Sequence, residues 1–297
     1  MNALDIEREH LSATALRQLM TCPLQFRLKR IDAVSPSHRS PALVLGGLYH
    51  GVIANALLLV KEDKEVAKEQ LVQWFEDGWS SHMKVKSPPI RWSKKATESQ
   101  QHELGRALIE AWHDQALPIF MEAEAILAVE LPFRVPVFDT NGEVLETPLD
   151  GFIDCIYRST DGQTVVVDHK SASQTFGEAE IEMSLQPTAY RHALRFLGYD
   201  ENAVFHFHVL SKTKKPKLTI TEVPRGEDDF DRLYWTCANA ERLIASGVFL
   251  ATSPGWQCDN CEYRNACRNA HRDILTPDSV SAPAGATSPT VEPASVA

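Results

Sequence analysis

An apolar run, Val165-Val166-Val167, is followed at once by Asp168-His169-Lys170. In a strand, successive side chains point to opposite faces, so Asp168 and Lys170 emerge on one side of the strand end. Asp154 lies fourteen residues earlier, in Leu149-Asp150-Gly151-Phe152-Ile153-Asp154-Cys155-Ile156, on a segment that a hairpin lays alongside. Two carboxylates beside one ammonium suit a hard divalent cation with oxygen ligands. The lysine can orient or activate a water, or stabilise charge building on a phosphate. By itself, Asp-x-Lys is more often a surface pair at a strand end. His50, in Leu45-Gly46-Gly47-Leu48-Tyr49-His50, stands on an otherwise apolar helix, where a histidine is more often a satisfied core residue than a ligand. Gln186 and Tyr190 are four residues apart and share a helix face, as catalytic partners or as one polar stripe. Glu130 opens Glu130-Leu131-Pro132-Phe133 and reads as a strand-edge charge rather than a supporting acid.

A second group is written in cysteine. Cys258, Cys261 and Cys267 form C-x2-C-x5-C, and metal binding is the first reading of such crowding. Three thiolates need a fourth ligand to close a four-coordinate site. Cys22, far away in sequence, is one candidate; His271, four residues after Cys267, is the other and would give a Cys3His zinc site. Cys155 and Cys237 fall in a strand and a helix and read as core residues. Two basic segments are candidates for nucleic-acid contact. Lys212, Lys214, Lys215 and Lys217 form a turn between strands, and Arg91, Lys94 and Lys95 surround Trp92, on which a base could stack. Solvated charged loops are the plainer reading of both. His206 and His208 alternate on a strand and face one side, as a surface under helices rather than a second metal site.

These residues require elements to hold them. Leu11 to Ile31 reads as a helix capped by Ser12 or Thr14 and interrupted by Pro23. Gly46–Val60 is a strongly apolar helix; helical patterns continue over Lys61–Trp79, break at Ser87-Pro88-Pro89 and resume over Thr97–Ala116. Strands are expected at Ile126–Phe138 and Val144–Tyr157 around the turn Asp139-Thr140-Asn141-Gly142, then at Thr164–Lys170 after Asp161-Gly162. A helix over Gly177–Leu197 ends at Gly198, strands follow at Ala203–Leu210 and Leu218–Val223, and a helix at Glu227–Ser246 closes the series. This order predicts an α/β or α+β domain around a central mixed sheet, preceded by a helical region.

Composition sets outer limits. Of 297 residues, 43% are hydrophobic and 24% charged, which excludes disorder over most of the chain. The net charge of −10 argues against a general polyanion-coating protein, while a nuclease needs only a local basic path beside acidic ligands. No apolar run reaches the roughly 20 residues of a membrane span, and Met1–His10 lacks the apolar segment of a signal peptide, so a cytoplasmic location without membrane contact is expected. Residues 276–297 are rich in Pro, Ser, Ala and Thr and read as a disordered tail. No Gly-rich loop closing on Lys-Ser/Thr is present, so the chain carries no helicase motor motif.

Taken together, Asp154, Asp168-His169-Lys170 and Gln186-Pro187-Thr188-Ala189-Tyr190 resemble the motifs of PD-(D/E)XK nucleases. More narrowly they resemble the RecB-like branch, with the AddB nuclease domain and the CRISPR-associated RecB-like exonucleases. Leu11-Ser12-Ala13-Thr14 through Cys22-Pro23-Leu24-Gln25-Phe26 is similar to that branch's N-terminal signature, and Gly46 to His50 to its histidine motif. Two departures stand out. His169 occupies a position where many relatives carry tyrosine or threonine, and the helical stretch from about 61 to 125 matches no motif. The resemblance implies a restriction-endonuclease-like core in one domain over 1–275, with helices at about 46–125, a catalytic core at about 126–250 and the cysteine cluster at 258–267. It implies Mg²⁺ or Mn²⁺ on Asp154, Asp168, the His50 ring and the His169 backbone carbonyl, with Lys170 positioning the attacking water. Gln186 and Tyr190 would organise Lys170 and the scissile phosphate, and hydrolysis would leave a 5′-phosphate and a 3′-hydroxyl. It implies a 4Fe–4S cluster on Cys22, Cys258, Cys261 and Cys267. The implied function is a DNA exonuclease on single strands or free ends, in repair, recombination or phage-like processing, with a helicase or a recombination or adaptation protein as partner. A non-catalytic nucleic-acid-binding or assembly module of the same fold is the alternative, which the intact Asp154, Asp168 and Lys170 disfavour.

Overall fold

A computed structural model describes residues 11–94, 96–173 and 177–273. The expected tail, 276–297, lies outside the described residues. Five strands form one sheet in the order β1 (Ala125–Val135), β2 (Leu149–Arg158), β3 (Thr164–Ala172), β4 (Val204–Ser211) and β5 (Leu218–Glu222). β3 and β4 are parallel and the other neighbours antiparallel, so the sheet is mixed as expected.

The chain enters through α1 (Ala13–Thr21), where the Ser12 hydroxyl accepts a 3.1 Å hydrogen bond from the Ala15 N–H and caps the helix. Cys22 is extended and breaks the helix. Pro23 starts α2 (Pro23–Phe26), in a first turn where no N–H is needed, and a π turn runs over Arg27–Ile31. α3 (Pro41–Lys61) begins five residues before the expected Gly46, again with proline in its first turn. α4 (Lys68–Lys84), α5 (Glu98–Gln115) and α6 (Leu117–Met121) follow, and Thr97 with Gln100 forms a capping box at the head of α5.

Two expectations change for reasons of proline chemistry. The strands flanking Asp139–Gly142 shorten to β1 and β2, leaving only an isolated bridge, Phe138 to Val144, beside the turn. Pro136 and Pro148 stand just outside the two strand ends and have no N–H to give a ladder. The single helix expected over Gly177–Leu197 is two, α7 (Glu178–Met183) and α8 (Leu185–Leu197), with Ser184 extended between them. A continuous helix would drive the Pro187 ring into the Met183 carbonyl. Gly198, at φ +75°, ends α8 as expected. α9 (Glu227–Ser246), α10 (Trp256–Asp259) and α11 (Arg264–Asp273) complete the described chain.

The sheet carries a core on each face. One packs Leu16, Leu19, Val166, Ala193, Leu194, Phe205, Leu233 and Cys237, joining α1, α8 and α9 to the sheet. The other packs Leu45, Tyr49, Ile53, Phe75, Trp112, Phe120, Cys155, Val165 and Val167, joining α3 to α6. Val165, Val166 and Val167 therefore alternate between two buried faces, which is why β3 reads as an unbroken apolar run. Contrary to the expectation from run length, α3 is long and apolar enough to cross a membrane, with 21 residues and a mean hydropathy of 1.9. Val44, Leu45, Val52, Ile53, Ala56 and Leu57 instead bury it in the second core.

Candidate active site

The site is made where the sheet forks. β2 and β3 pair from Arg158–Thr164 to Cys155–Val167, and the ladder ends there. Beyond that point β2 continues beside β1 to Leu149, and β3 continues beside β4 to Ala172. Asp154 and Asp168 are the first residues past the split. The Asp154 carboxylate accepts a 2.8 Å hydrogen bond from the His169 N–H, so side chain replaces ladder and holds the two strands at the fork.

Asp168 is fully buried, and a lone carboxylate there would lose several kcal/mol of hydration. Lys170 compensates it, with Nζ 3.0 Å from Oδ1 and 2.7 Å from Oδ2. Lys170 also donates to Gln186 Oε1 at 3.1 Å, while Gln186 Nε2 donates to Asp168 Oδ1 and, at 2.8 Å, to the Tyr190 hydroxyl. The amide thus turns its oxygen to the ammonium and its nitrogen to the carboxylate. The break at Ser184 makes this possible, because it puts Gln186 and Tyr190 on the face of α8 that looks into the fork. Tyr190 is fixed by an edge contact with the Phe133 ring and a tilted contact with the Phe205 ring. Burial raises its hydroxyl well above the ordinary tyrosine range, with Asp168 and Asp154 adding to the effect, so it stays protonated.

From the opposite layer α3 brings His50, whose Nδ1 lies 3.3 Å from Asp154 Oδ2. Burial pulls the His50 ring down, but its contact with Asp154 and the charge of Asp168 outweigh that and raise it. Burial pushes Asp154 up, but His50 and the nearby cations outweigh it and hold it low. Burial pushes Asp168 up to about 6 against the pull of Lys170, with the Asp154 charge adding to the rise. Two carboxylates in one fork are driven apart by their surroundings, as expected of groups that share a site.

Glu130 joins them, contrary to the strand-edge reading. One donor atom each from His50, Glu130 and Asp154 lies within 4.8 Å of the others. Glu130 stands in β1 between the pairs Val129–Cys155 and Leu131–Ile153, at φ +46°, a left-handed conformation unusual for a non-glycine residue. Burial raises its carboxyl, and the Asp154 charge adds to that. Glu130 thus combines a positive φ with nearness to an imidazole and a second carboxylate, and nothing in the local sequence signals the strain.

The donor set suits a divalent cation. Asp168 Oδ2 is buried without a hydrogen bond of its own among the described residues, although Lys170 lies beside it. His50, Glu130 and Asp154 converge on the same fork, and imidazole with carboxylates is a common ligand set for such ions. The His169 ring points the other way, among Trp112, Phe120 and His208. Burial lowers it to about 4, so it stays neutral, and its part in the fork is its backbone.

A family model for the PD-(D/E)XK nuclease superfamily matches residues 10–268. The chain belongs to this superfamily. Its mixed sheet flanked by helices is the restriction-endonuclease-like fold, and members of the PD-(D/E)XK superfamily are typically nucleases that use divalent metals. None of the curated proteins matches the sequence. Among solved structures, that of a proposed exonuclease from Eubacterium rectale is similar, with a TM-score of 0.54 at 12% identity over 93% of this chain and 96% of that one. SSO0001 aligns at 14% identity over 94% of this chain and 95% of that one, with a TM-score of 0.36. The fork of this PD-(D/E)XK chain therefore coincides with the residues whose types and spacing suggested chemistry.

The remaining candidates lie outside the fork. Cys22, Cys261 and Cys267 pack at the edge of a small cluster of Leu24, Leu28 and Tyr263, but among the described residues the cysteine sulfurs do not draw into a group close enough to share one metal ion. Burial raises the thiols of Cys261 and Cys267, and the nearness of Cys22 and Cys258 raises both further. All four are half-buried and free. The rival ligand His271 is on α11, and its side chain lies outside the described residues. Cys155 and Cys237 are buried in the two cores. Trp92 leans on Trp79, with ring centroids 6.2 Å apart, so its ring is engaged in the helical layer. Lys214 and Lys215 are exposed on the turn after β4, and Lys212 is half-buried. Lys94 is exposed, and Lys95 lies outside the described residues. His206 and His208 do share one side, with rings 6.1 Å apart, and His208 is buried.

Proposed function

We propose that this chain is a metal-dependent DNA nuclease of the RecB-like branch, an exonuclease that hydrolyses phosphodiester bonds from free or single-stranded ends. The observation that carries the reading is the closed network Asp168–Lys170–Gln186–Tyr190 at a fork whose other side presents Asp154 and His50. Asp154, Asp168, His50 and the His169 carbonyl would hold Mg²⁺ or Mn²⁺, with Glu130 alongside. Bound there, the ion supplies polarisation of a phosphoryl oxygen and a lower pKa for water. The chain's own residues do the rest. Two of the three Lys170 N–H donors go to Asp168 and Gln186, so the third can orient a water without reorganisation cost. Gln186 is in turn fixed by Tyr190. Attack on phosphorus breaks the bond to the 3′ oxygen, leaving a 5′-phosphate and, once that oxygen takes a proton, a 3′-hydroxyl.

The same proposal assigns Cys22, Cys258, Cys261 and Cys267 to a structural 4Fe–4S cluster. The packing of Cys22 near Cys261 and Cys267 supports it, because the apolar cluster there is small among the described residues and an iron–sulfur cluster would tie α1 to the segment around α10 and α11. A helicase or a recombination or adaptation protein is the proposed partner class, since the chain has no motor motif.

The test is cleavage of end-labelled single-stranded, duplex and circular DNA with Mg²⁺ or Mn²⁺. Metal-dependent loss of linear DNA with circles left intact is expected. Cleavage of circles as fast as linear DNA would remove the exonuclease assignment, and cleavage of neither would remove the nuclease.

A further inference from the structure

The two basic segments that look separate in sequence meet in one cavity. It has a volume of about 380 Å³ and is walled by the start of α3, the loop before α5, the end of β3 and the turn after β4. Arg91 comes from the first basic segment and Lys212 from the second. Ser40, Ser93, Gln101, Ser173 and Asn260 supply neutral polar groups and His38 a ring, and among the described residues no Asp or Glu lines the cavity. In a chain with 40 acidic residues and a net charge of −10, a cavity with two cations and no carboxylate is a selective feature. Neither cation forms a side-chain hydrogen bond or ion pair among the described residues. Burial alone lowers the Lys212 ammonium, with no acid nearby to restore it. A half-buried ammonium beside an exposed guanidinium, with no carboxylate in the lining, suits an anion.

Two rulers place this cavity relative to the fork. Ser173 is three residues beyond Lys170 at a strand end, about 10 Å further on. Pro41 in the cavity wall is nine residues before His50 on one helix, about 13 Å away. A nucleic-acid strand whose reacting phosphodiester sits at Lys170 therefore has phosphates within reach of the cavity.

We propose that the Arg91–Lys212 cavity is a phosphate subsite that grips the substrate strand a short distance from the bond being cut. The identity of the strand rests on the nuclease reading above; the anion chemistry of the cavity does not. The subsite acts in binding, and neither residue touches the reacting atoms.

The experiment is metal-free binding of the full chain to a labelled single-stranded DNA of about 20 nucleotides, made with a 5′-phosphate or a 5′-hydroxyl, across a salt series. Arg91→Gln with Lys212→Gln should weaken binding by about ten-fold or more and flatten the salt slope by about 1.4, or roughly 0.7 for each lost phosphate contact on a single strand. Lys212→Arg should restore affinity where Lys212→Gln does not. Arg91→Gln alone, at an exposed residue, keeps the test readable if the Lys212 variant folds poorly. Equal losses on both oligonucleotides locate an internal phosphate in the cavity; a loss confined to the 5′-phosphorylated one locates the strand end. Unchanged affinity and slope, or no binding by the wild type, overturns the subsite. Wild-type cleavage with Mn²⁺ that Asp168→Ala abolishes, together with unchanged binding in the double variant, rejects the subsite and keeps the nuclease. A binding loss in the double variant without any wild-type cleavage does the reverse.

Discussion

The fork and the corner where Cys22 packs near Cys261 and Cys267 are assembled in opposite ways. The fork draws Asp154, Asp168 and Lys170 from neighbouring strands and Gln186 and Tyr190 from one helix turn. Its groups already satisfy one another through bonds of 2.7 to 3.1 Å. The corner joins residues near the two ends of the described chain, and the one side-chain contact to a thiol is weak, Gln25 Nε2 at 3.9 Å from Cys261 Sγ. Backbone ties help: the Ser37 N–H and hydroxyl both donate to the Glu262 carbonyl, at 3.0 and 2.7 Å. The difference teaches where each substitution should be felt. The fork is held before metal arrives, so damage there should appear in chemistry. Under the proposed cluster the corner depends on what its thiols hold, so damage there should appear in stability.

The largest effect is expected at the fork. Asp168→Ala, or Lys170→Ala, should lower the single-turnover cleavage rate by about 10²-fold or more, the range for loss of one preorganised group. Metal-free DNA affinity should stay within a few-fold. If either variant lost DNA binding in proportion to rate, the contrast with the corner would break.

At the corner, Cys22→Ala should lose iron and lower the melting temperature by roughly 5–10 °C, as loss of a long-range cross-link does in a chain of this size. Activity should fall with unfolding and return in part at low temperature. Anaerobically purified wild type should contain about four irons, and His271→Ala should keep them. A colourless wild type with one zinc that His271→Ala removes would mean the corner is a zinc site and Cys22 a bystander.

Glu130 sharpens the comparison, because it combines both kinds of effect. Glu130→Gly should relieve the left-handed strain and stabilise the fold by about 1 kcal/mol, while raising the Mn²⁺ concentration needed for half-maximal rate. A stabilised variant with unchanged metal requirement would return Glu130 to the status of a strand charge. Smaller still is an effect in the helical layer. A Cβ at Gly105 would meet Phe75 and Leu45, so Gly105→Ala should lower the melting temperature by a few degrees although alanine favours helix.

The pH dependence follows from Asp168. Its folded carboxyl is raised to about 6, so in the metal-free protein it keeps a proton below that pH. A cation must displace that proton, so Mn²⁺ affinity should rise as pH rises through about 6. The same raised value means that metal-free folding gains from Asp168 at low pH and loses that gain as pH rises through 6; Asp154, held low, contributes in the opposite sense. Titration with and without Mn²⁺ checks both signs.

Much of the fork was legible because its chemistry is local. An apolar strand ending in Asp-x-Lys, a hairpin bringing Asp154 alongside, and a four-residue spacing for Gln186 and Tyr190 follow from strand and helix periods alone. Pro187 was visible in the sequence, yet its consequence, the break at Ser184 that aims α8, needed its clash with the Met183 carbonyl to be weighed against helical pattern. Glu130 reads as a strand-edge charge in the sequence because a positive φ, and the approach to His50 and Asp154 that goes with it, leave no trace in residue type. The meeting of Arg91 and Lys212 is a tertiary fact with no local signal: β1 to β4 lie between them in sequence, and they come together only as parts of one cavity wall.

The most direct test of the fork as a metal-binding catalytic centre is calorimetric titration of Mn²⁺ into the wild type and into Asp168→Asn, which keeps the shape of the side chain and removes its charge. The account predicts a saturable binding heat in the wild type that Asp168→Asn abolishes or weakens by at least about ten-fold, in step with loss of cleavage. An Asp168→Asn variant that binds Mn²⁺ like the wild type would contradict it.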